Sequence, residues 1–344
     1  MKFVGIESVE PGQYLGKTVF AGNGTVLLAE GVQLTVFMIN TLRRIGVTML
    51  YIKDPLFEDV VIEETVSEEN KRVVLVLMNE TMEAIRSGKD FGSKAVSVSV
   101  DRLLEDISSN KEVLLQLSDI RSKDNEMFVH ALNVATMSAL VGINMGYNQA
   151  QLKELTIGAL LHDIGKAERI TEDSMTDPKL HHAWRGFELL KTKREFSLLI
   201  AHIAFQHHET PDGLGVPRQL ADEQIHEYAK IVAVANTFDN LLFGEDGKRV
   251  LPHNATERMM ALAGTKLDRE VLIQFLRIVS IYPTGTSVRL STKESGVIVG
   301  QHRGLPGRPI VRVVKKAHSE DEEFEVKEVD LAKQPTVFIE AVLS

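Results

Sequence analysis

The feature that most constrains this chain is the stretch LLHDIGK, Leu160 to Lys166, where a histidine and an aspartate follow two leucines and a lysine stands one helical turn beyond the histidine. The apolar run predicts a buried helix end. An imidazole and a carboxylate placed there need partners to offset their loss of water. A structural helix end has no use for that pair, whereas a metal site does. Eight of the 11 histidines fall between His130 and His226, so the same part of the chain carries further candidate ligands.

Spacing selects among them. Glu126 and His130 are four apart on a predicted helix and share a face. His162 and Asp163 are adjacent, about 100° apart around a helix. They therefore suit two neighbouring ions, or one ion with the carboxylate reaching a second. His182 lies near the start of the next predicted helix, and His207 and His208 end a later one, stopped by ETPDGLGVP. His181 and His202 each have a better placed neighbour and are read as outside the set. Five histidines and two carboxylates exceed the needs of one tetrahedral zinc and point to two or three divalent transition-metal ions. Imidazole suits zinc, copper, iron and nickel, while carboxylate suits manganese; iron or manganese is the expectation, with zinc or nickel as alternatives. Two such ions activate water and clamp a phosphoryl group. Lys166, on the His162 face, is placed to stabilise phosphate charge.

Composition narrows the classes. The absence of cysteine excludes disulfides, iron–sulfur clusters and thiolate zinc sites, and is in keeping with a cytoplasmic protein. A net charge of −9 with no basic stripe argues against a DNA or RNA polymer as partner. The first residues lack the basic start and apolar core of a signal peptide, and no run of 18 apolar residues predicts a membrane span.

Along the chain, KTVFAGNGTVLLAEG predicts a hairpin turning at Asn23-Gly24, TVFMINTLRRIG a short helix, VTMLYI a strand and Glu68 to Ile85 a longer helix. RSGKDFGSK marks a boundary. From Val98 to Val279 the pattern is helical. After Ser280, β-branched and polar residues alternate between glycines and prolines. The expected fold is mainly α. A small α+β N-terminal regulatory or sensory domain with a connecting helix (1–95) precedes an all-helical metal-binding domain (96–280) and a β-rich C-terminal segment (281–344).

His130, HDIGK at His162 to Lys166, HAWRG at His182 to Gly186, HHETPDGLGVP at His207 to Pro217 and VAVANTFDNL at Val232 to Leu241 occur in an order that resembles the HD-GYP proteins. These are a branch of the HD phosphohydrolase superfamily whose members hydrolyse cyclic di-GMP, a bacterial second messenger. The resemblance covers residues 98 to 280 and extends into the C-terminal segment. It implies that His130, His162, Asp163, His182, His207 and His208 are metal ligands, with Asp163 bridging, and that Glu126 is the extra carboxylate of members with three metals. It implies substrate contacts from Lys166, from the loop around Gly213 and Gly215, and from Arg218 and Lys248. Asp163 and Lys166 would carry the catalysis.

Four positions depart from the family pattern. Val216 replaces the signature tyrosine, Asn236 replaces a ligating aspartate, and Glu245 and Gly247 stand where an Arg-x-Tyr stretch is usual. An amide oxygen is a weaker ligand than a carboxylate, and Glu245 would repel phosphate. The sequence therefore implies a cyclic di-GMP phosphodiesterase with a small cyclic nucleotide as partner, no membrane, and a homodimer or signalling protein as a further partner. Two alternatives stay open: a catalytically weak signalling or binding module, and a phosphohydrolase for another phosphoester.

Overall fold

The structure is a computed structural model that describes residues 1–116, 120–167, 177–243, 250–316 and 324–343. Near the N-terminus, β1 (Lys2–Gly5) pairs antiparallel with β4 (Met49–Ile52), and β2 (Val19–Phe20) pairs with β3 (Val26–Leu28) across the Asn23-Gly24 turn. Gly24 takes a φ of +73°, the left-handed geometry that such a turn demands. Helix α1 (Val36–Arg44) is capped by the Thr35 side chain and packs Ile39 and Leu42 into this small unit.

The helical body follows, with α2 (Glu68–Arg86), α3 (Ser93–Ser109), α4 (Glu126–Asn144), α5 (Gln149–Leu160), α6 (His182–Leu190), α7 (Leu198–Gln206), α8 (Glu227–Phe243), α9 (Pro252–Ala261) and α10 (Arg269–Leu276). The connecting helix α2 shares one continuous core with the helical body, through residues such as Val74, Met78 and Met82. Helix α4 is apolar on nearly every face, as a central helix must be. By length and composition it would cross a bilayer, but it is mostly buried inside this body. Asn148 and Gln151 form the expected capping box and set the start of α5, so its far end delivers His162 to the interior.

The C-terminal strands β5 (Ser287–Leu290), β6 (Ser295–Gly300), β7 (Ile310–Lys316), β8 (Phe324–Asp330) and β9 (Ile339–Leu343) form one antiparallel sheet in the order β8-β7-β6-β5-β9. The mainly α reading with a small α+β unit before it and a β unit after it matches this architecture.

Several contacts among the described residues tie the N-terminal unit to the rest, and two of them bear on the site. Phe3 N–H donates to Gly285 O at 3.0 Å. Asn125, buried at the head of α4, donates from Nδ2 to Phe20 O at 2.8 Å. The hairpin of the N-terminal unit is thus bonded to the helix end that begins with Glu126 and His130.

Candidate metal centre

Two close backbone approaches bring the ligands together. A Cβ on Gly165 would lie 2.0 Å from His182 O and 2.7 Å from Gly186 N, so the HDIGK turn and the start of α6 meet only because Gly165 has no side chain. That contact seats His182 against Asp163. A Cβ on Gly215 would lie 2.6 Å from His208 O, so the loop after the HH pair folds back on its own start. Val216 N–H donates to that same carbonyl at 3.0 Å.

The result is a single carboxylate between two sets of imidazoles. Asp163 Oδ1 is 3.1 Å from His182 Nε2 and 3.6 Å from His207 Nε2, while Oδ2 is 3.5 Å from His162 Nε2 and 3.6 Å from His130 Nε2. His208 Nε2 joins the first set, 3.0 Å from His182 Nε2. Asp163 with His182, His207 and His208 forms one candidate group, and Asp163 with His130 and His162 forms the other. Ligands bound to one ion at about 2.0–2.2 Å lie about 3–3.5 Å apart, which matches these separations.

The tautomers test whether the residues fit a metal. His162 donates from Nδ1 to Ala159 O at 2.7 Å, and His207 from Nδ1 to Ala204 O at 2.8 Å. His130 donates from Nδ1 to Asp239 Oδ2 at 2.6 Å. In each ring Nε2 is left with a lone pair. Yet His130 Nε2 and His162 Nε2 face each other at 3.2 Å with no proton to share, and His182 Nε2 and His207 Nε2 stand 3.4 Å apart. Buried Asp163 Oδ1 has no hydrogen-bond partner among the described residues. Converging lone pairs around an orphaned carboxylate oxygen are what divalent cations would satisfy.

Electrostatics agree. Burial would raise the Asp163 carboxyl, but the close imidazoles of His162, His182 and His207 and the Lys166 ammonium overcome it and hold the group well below its usual range. Burial pushes His162, His182 and His208 below the ordinary histidine value and favours the neutral, ligating form.

Asp239, which the sequence reading passed over, orients His130. It is fully buried, accepts from His130 and from Asn133 Nδ2 (3.1 Å), and forms an ion pair with Arg121. Burial opposes its charge, but Arg121 and His130 hold its pKa down at about 2. The Arg121 guanidinium in turn lies 3.4 Å over the Phe243 ring. The one available signal was the position of Asp239 in VAVANTFDNL, a turn beyond Asn236.

The remaining candidates sit at different depths. Lys166 Nζ is 2.6 Å from Asp163 Oδ2 and borders a cavity of about 260 Å³ that reaches His130 and Asp163. Glu126 also lines that cavity, but it is exposed at the first turn of α4 and outside both ligand groups. Asn236 is buried, and its Oδ1 accepts from Asn240 Nδ2 at 2.9 Å. Gly213 takes a φ of +72° in the loop after His208, and buried Glu209 braces that loop by accepting from Arg218 N and Leu220 N. The Arg218 side chain is exposed and lies over Phe205, 5.4 Å from the ring centroid. His181 caps α6 through Ala183 N–H, with its ring 4.3 Å from that of His182. His202 packs against Phe187. Glu245, Gly247, Lys248 and Arg249 lie outside the described residues.

A helical body in which one aspartate lies between two histidine groups could hold divalent metal ions. Residues 127–241 match the family model of the HD domain, and residues 287–344 match that of a KOW domain associated with HD domains. Over these two segments the chain is similar to those families. It is 29% identical to the cyclic di-GMP phosphodiesterase PA4108 of Pseudomonas aeruginosa, over 68% of this chain and 59% of that protein. It is 31% identical to a cyclic di-GMP phosphodiesterase of Thermotoga maritima over 48% of each chain. The chain thus spans between about half and three fifths of these relatives' lengths. The solved structure of Bd1817, a HDGYP protein from Bdellovibrio bacteriovorus, aligns with a TM-score of 0.49 at 18% identity, over 79% of this chain and 97% of that one.

Proposed function

We propose that this chain is a metal-dependent phosphodiesterase that hydrolyses cyclic di-GMP. The observation that carries the reading is Asp163, whose two oxygens face two separate histidine groups beside an open cavity. His130 and His162 would hold one divalent ion, and His182, His207 and His208 the other, with Asp163 common to both; iron or manganese suits this donor set first. Such ions would supply an activated water and a clamp for the phosphoryl oxygens. The protein's own part is orientation. Ala159 O, Ala204 O and Asp239 fix three imidazoles with Nε2 inward. Lys166, at the cavity rim, would move its donor from Asp163 to a substrate phosphate and stabilise the charge that develops there. The two relatives named above are cyclic di-GMP phosphodiesterases, which supports this substrate.

One observation favours a second reading, a binding module with little turnover. At the family's aspartate position stands Asn236, whose amide oxygen is already engaged by Asn240. Purification without oxygen, loading with Fe(II) or Mn(II) and chromatography of the products from cyclic di-GMP separates the two. Linear dinucleotide or mononucleotide formed by wild type but not by Asp163→Asn supports the enzyme. Intact substrate that nonetheless raises the melting temperature supports the module.

A further inference from the structure

We propose that an apolar cavity where the three parts of the chain meet binds a small, neutral, apolar molecule, and that its occupancy is felt at the metal centre through Arg121 and Phe243. The cavity has a volume of about 230 Å³. Its walls come from β1 and β4 (Phe3, Met49), from the end of α8 (Leu242, Phe243) and from the C-terminal unit (Tyr282, Val342). Among the described residues, Arg121 is the only Lys, Arg, Asp or Glu in the lining, and Asp239 already neutralises it. The described lining therefore gives an anion no unspent counter-charge, and desolvating one there would be costly. A cavity with mostly apolar walls favours an apolar guest. One of about 150 Å³ holds benzene, so this volume fits roughly ten non-hydrogen atoms.

The link to the metal centre is geometric. Arg121 and Phe243 line this cavity and also line the cavity that reaches His130 and Asp163, so together they are the wall between the two. The same Arg121 holds Asp239, and Asp239 orients His130. A guest packed on the far side of Phe243 restrains the Arg121 stack and so favours the arrangement in which His130 presents Nε2 to a metal. Coupling of this kind is reciprocal, so guest and metal should each tighten the other's binding by the same factor. None of this depends on which phosphoester the centre acts on.

The test uses the full chain and 4-fluoroacetophenone, a neutral probe of about the calculated size, followed by its ¹⁹F resonance. 4-Fluorobenzoate, of equal size but charged, is the control. We expect saturable binding of the ketone and at least tenfold weaker binding of the benzoate. Gly5→Leu should weaken ketone binding at least tenfold, because Gly5 lines the cavity and a Cβ there would meet only Met49 Sδ, at 4.0 Å. Zinc titration by calorimetry should give about threefold tighter metal binding with the ketone present. No saturable signal from wild type, benzoate binding as tightly as ketone, or ketone binding unchanged in Gly5→Leu would each overturn the site. Ketone binding with an unaltered zinc affinity would overturn the coupling. Absence of cyclic di-GMP hydrolysis bears on neither result.

Discussion

Asp239→Asn removes a charge that two buried partners require, so its consequences can be worked out in advance. Asp239 is fully buried and Arg121 is 5% exposed, so the guanidinium would be left as a largely desolvated, unpaired charge. Breaking one side of such a pair costs about 3–5 kcal/mol, most of it the desolvation of the survivor. His130 would also lose its carboxylate acceptor, which sets the tautomer and raises the basicity of Nε2, and outer-sphere losses of this kind lower metal affinity about 10–100-fold. The two effects can be separated. Arg121→Met with Asp239→Asn removes the stranded charge at similar volume and should regain most of the lost stability, while metal affinity stays low because His130 still lacks its carboxylate. Urea denaturation of metal-free protein measures the first quantity, and zinc titration the second. A single variant within 1 kcal/mol of wild type, or a double variant as unstable as the single one, would refute the reasoning.

Four further outcomes are expected. Lys166→Ala should lower turnover of cyclic di-GMP roughly tenfold or more with metal content unchanged, as loss of a group that acts on the transition state requires. Asn236→Asp should raise metal affinity and any phosphodiesterase rate; if both stay constant in parallel metal and product assays, Asn236 does not reach the ions. Gly165→Ala should lower metal content and melting temperature together, since its methyl would meet the His182 carbonyl. The metal-free fold should weaken on acidification. His162, His182 and His208 have folded pKa values below the ordinary 6.5, so the unfolded chain takes up protons first and stability present above about 6.5 is lost as pH falls. Each contributes a slope of up to about 1.4 kcal/mol per pH unit, and a flat denaturation profile between pH 7 and 5.5 would contradict it.

What could be read in the sequence was local. The HD pair at the end of an apolar helix, His182 four residues before Gly186, and the HH pair before a glycine-rich loop are short patterns, and each lies where a helix begins or ends. What escaped the sequence depends on distance. Arg121 and Asp239 are 118 residues apart, and nothing near either one shows that they meet. Glu126 shares a helical face with His130, but it opens the helix and lies at the solvent edge, a difference that spacing cannot express. Helix α9 lies within the stretch read as helical, and Ala255 and Met259 hold it against the body. The apolar cavity has walls from residues 3 to 343 and exists only in the assembled fold.

The central claim is that Asp163 is shared by two metal ions. Elemental analysis of the metal-loaded chain, joined with an anomalous-scattering map of its crystal, tests it most directly. The account predicts at least two ions per chain, with density on either side of the Asp163 carboxylate, one beside His130 and His162 and one beside His182, His207 and His208. It also predicts that Asp163→Ala lowers occupancy at both positions. A single ion, or two ions of which one stays fully occupied in Asp163→Ala, would contradict it.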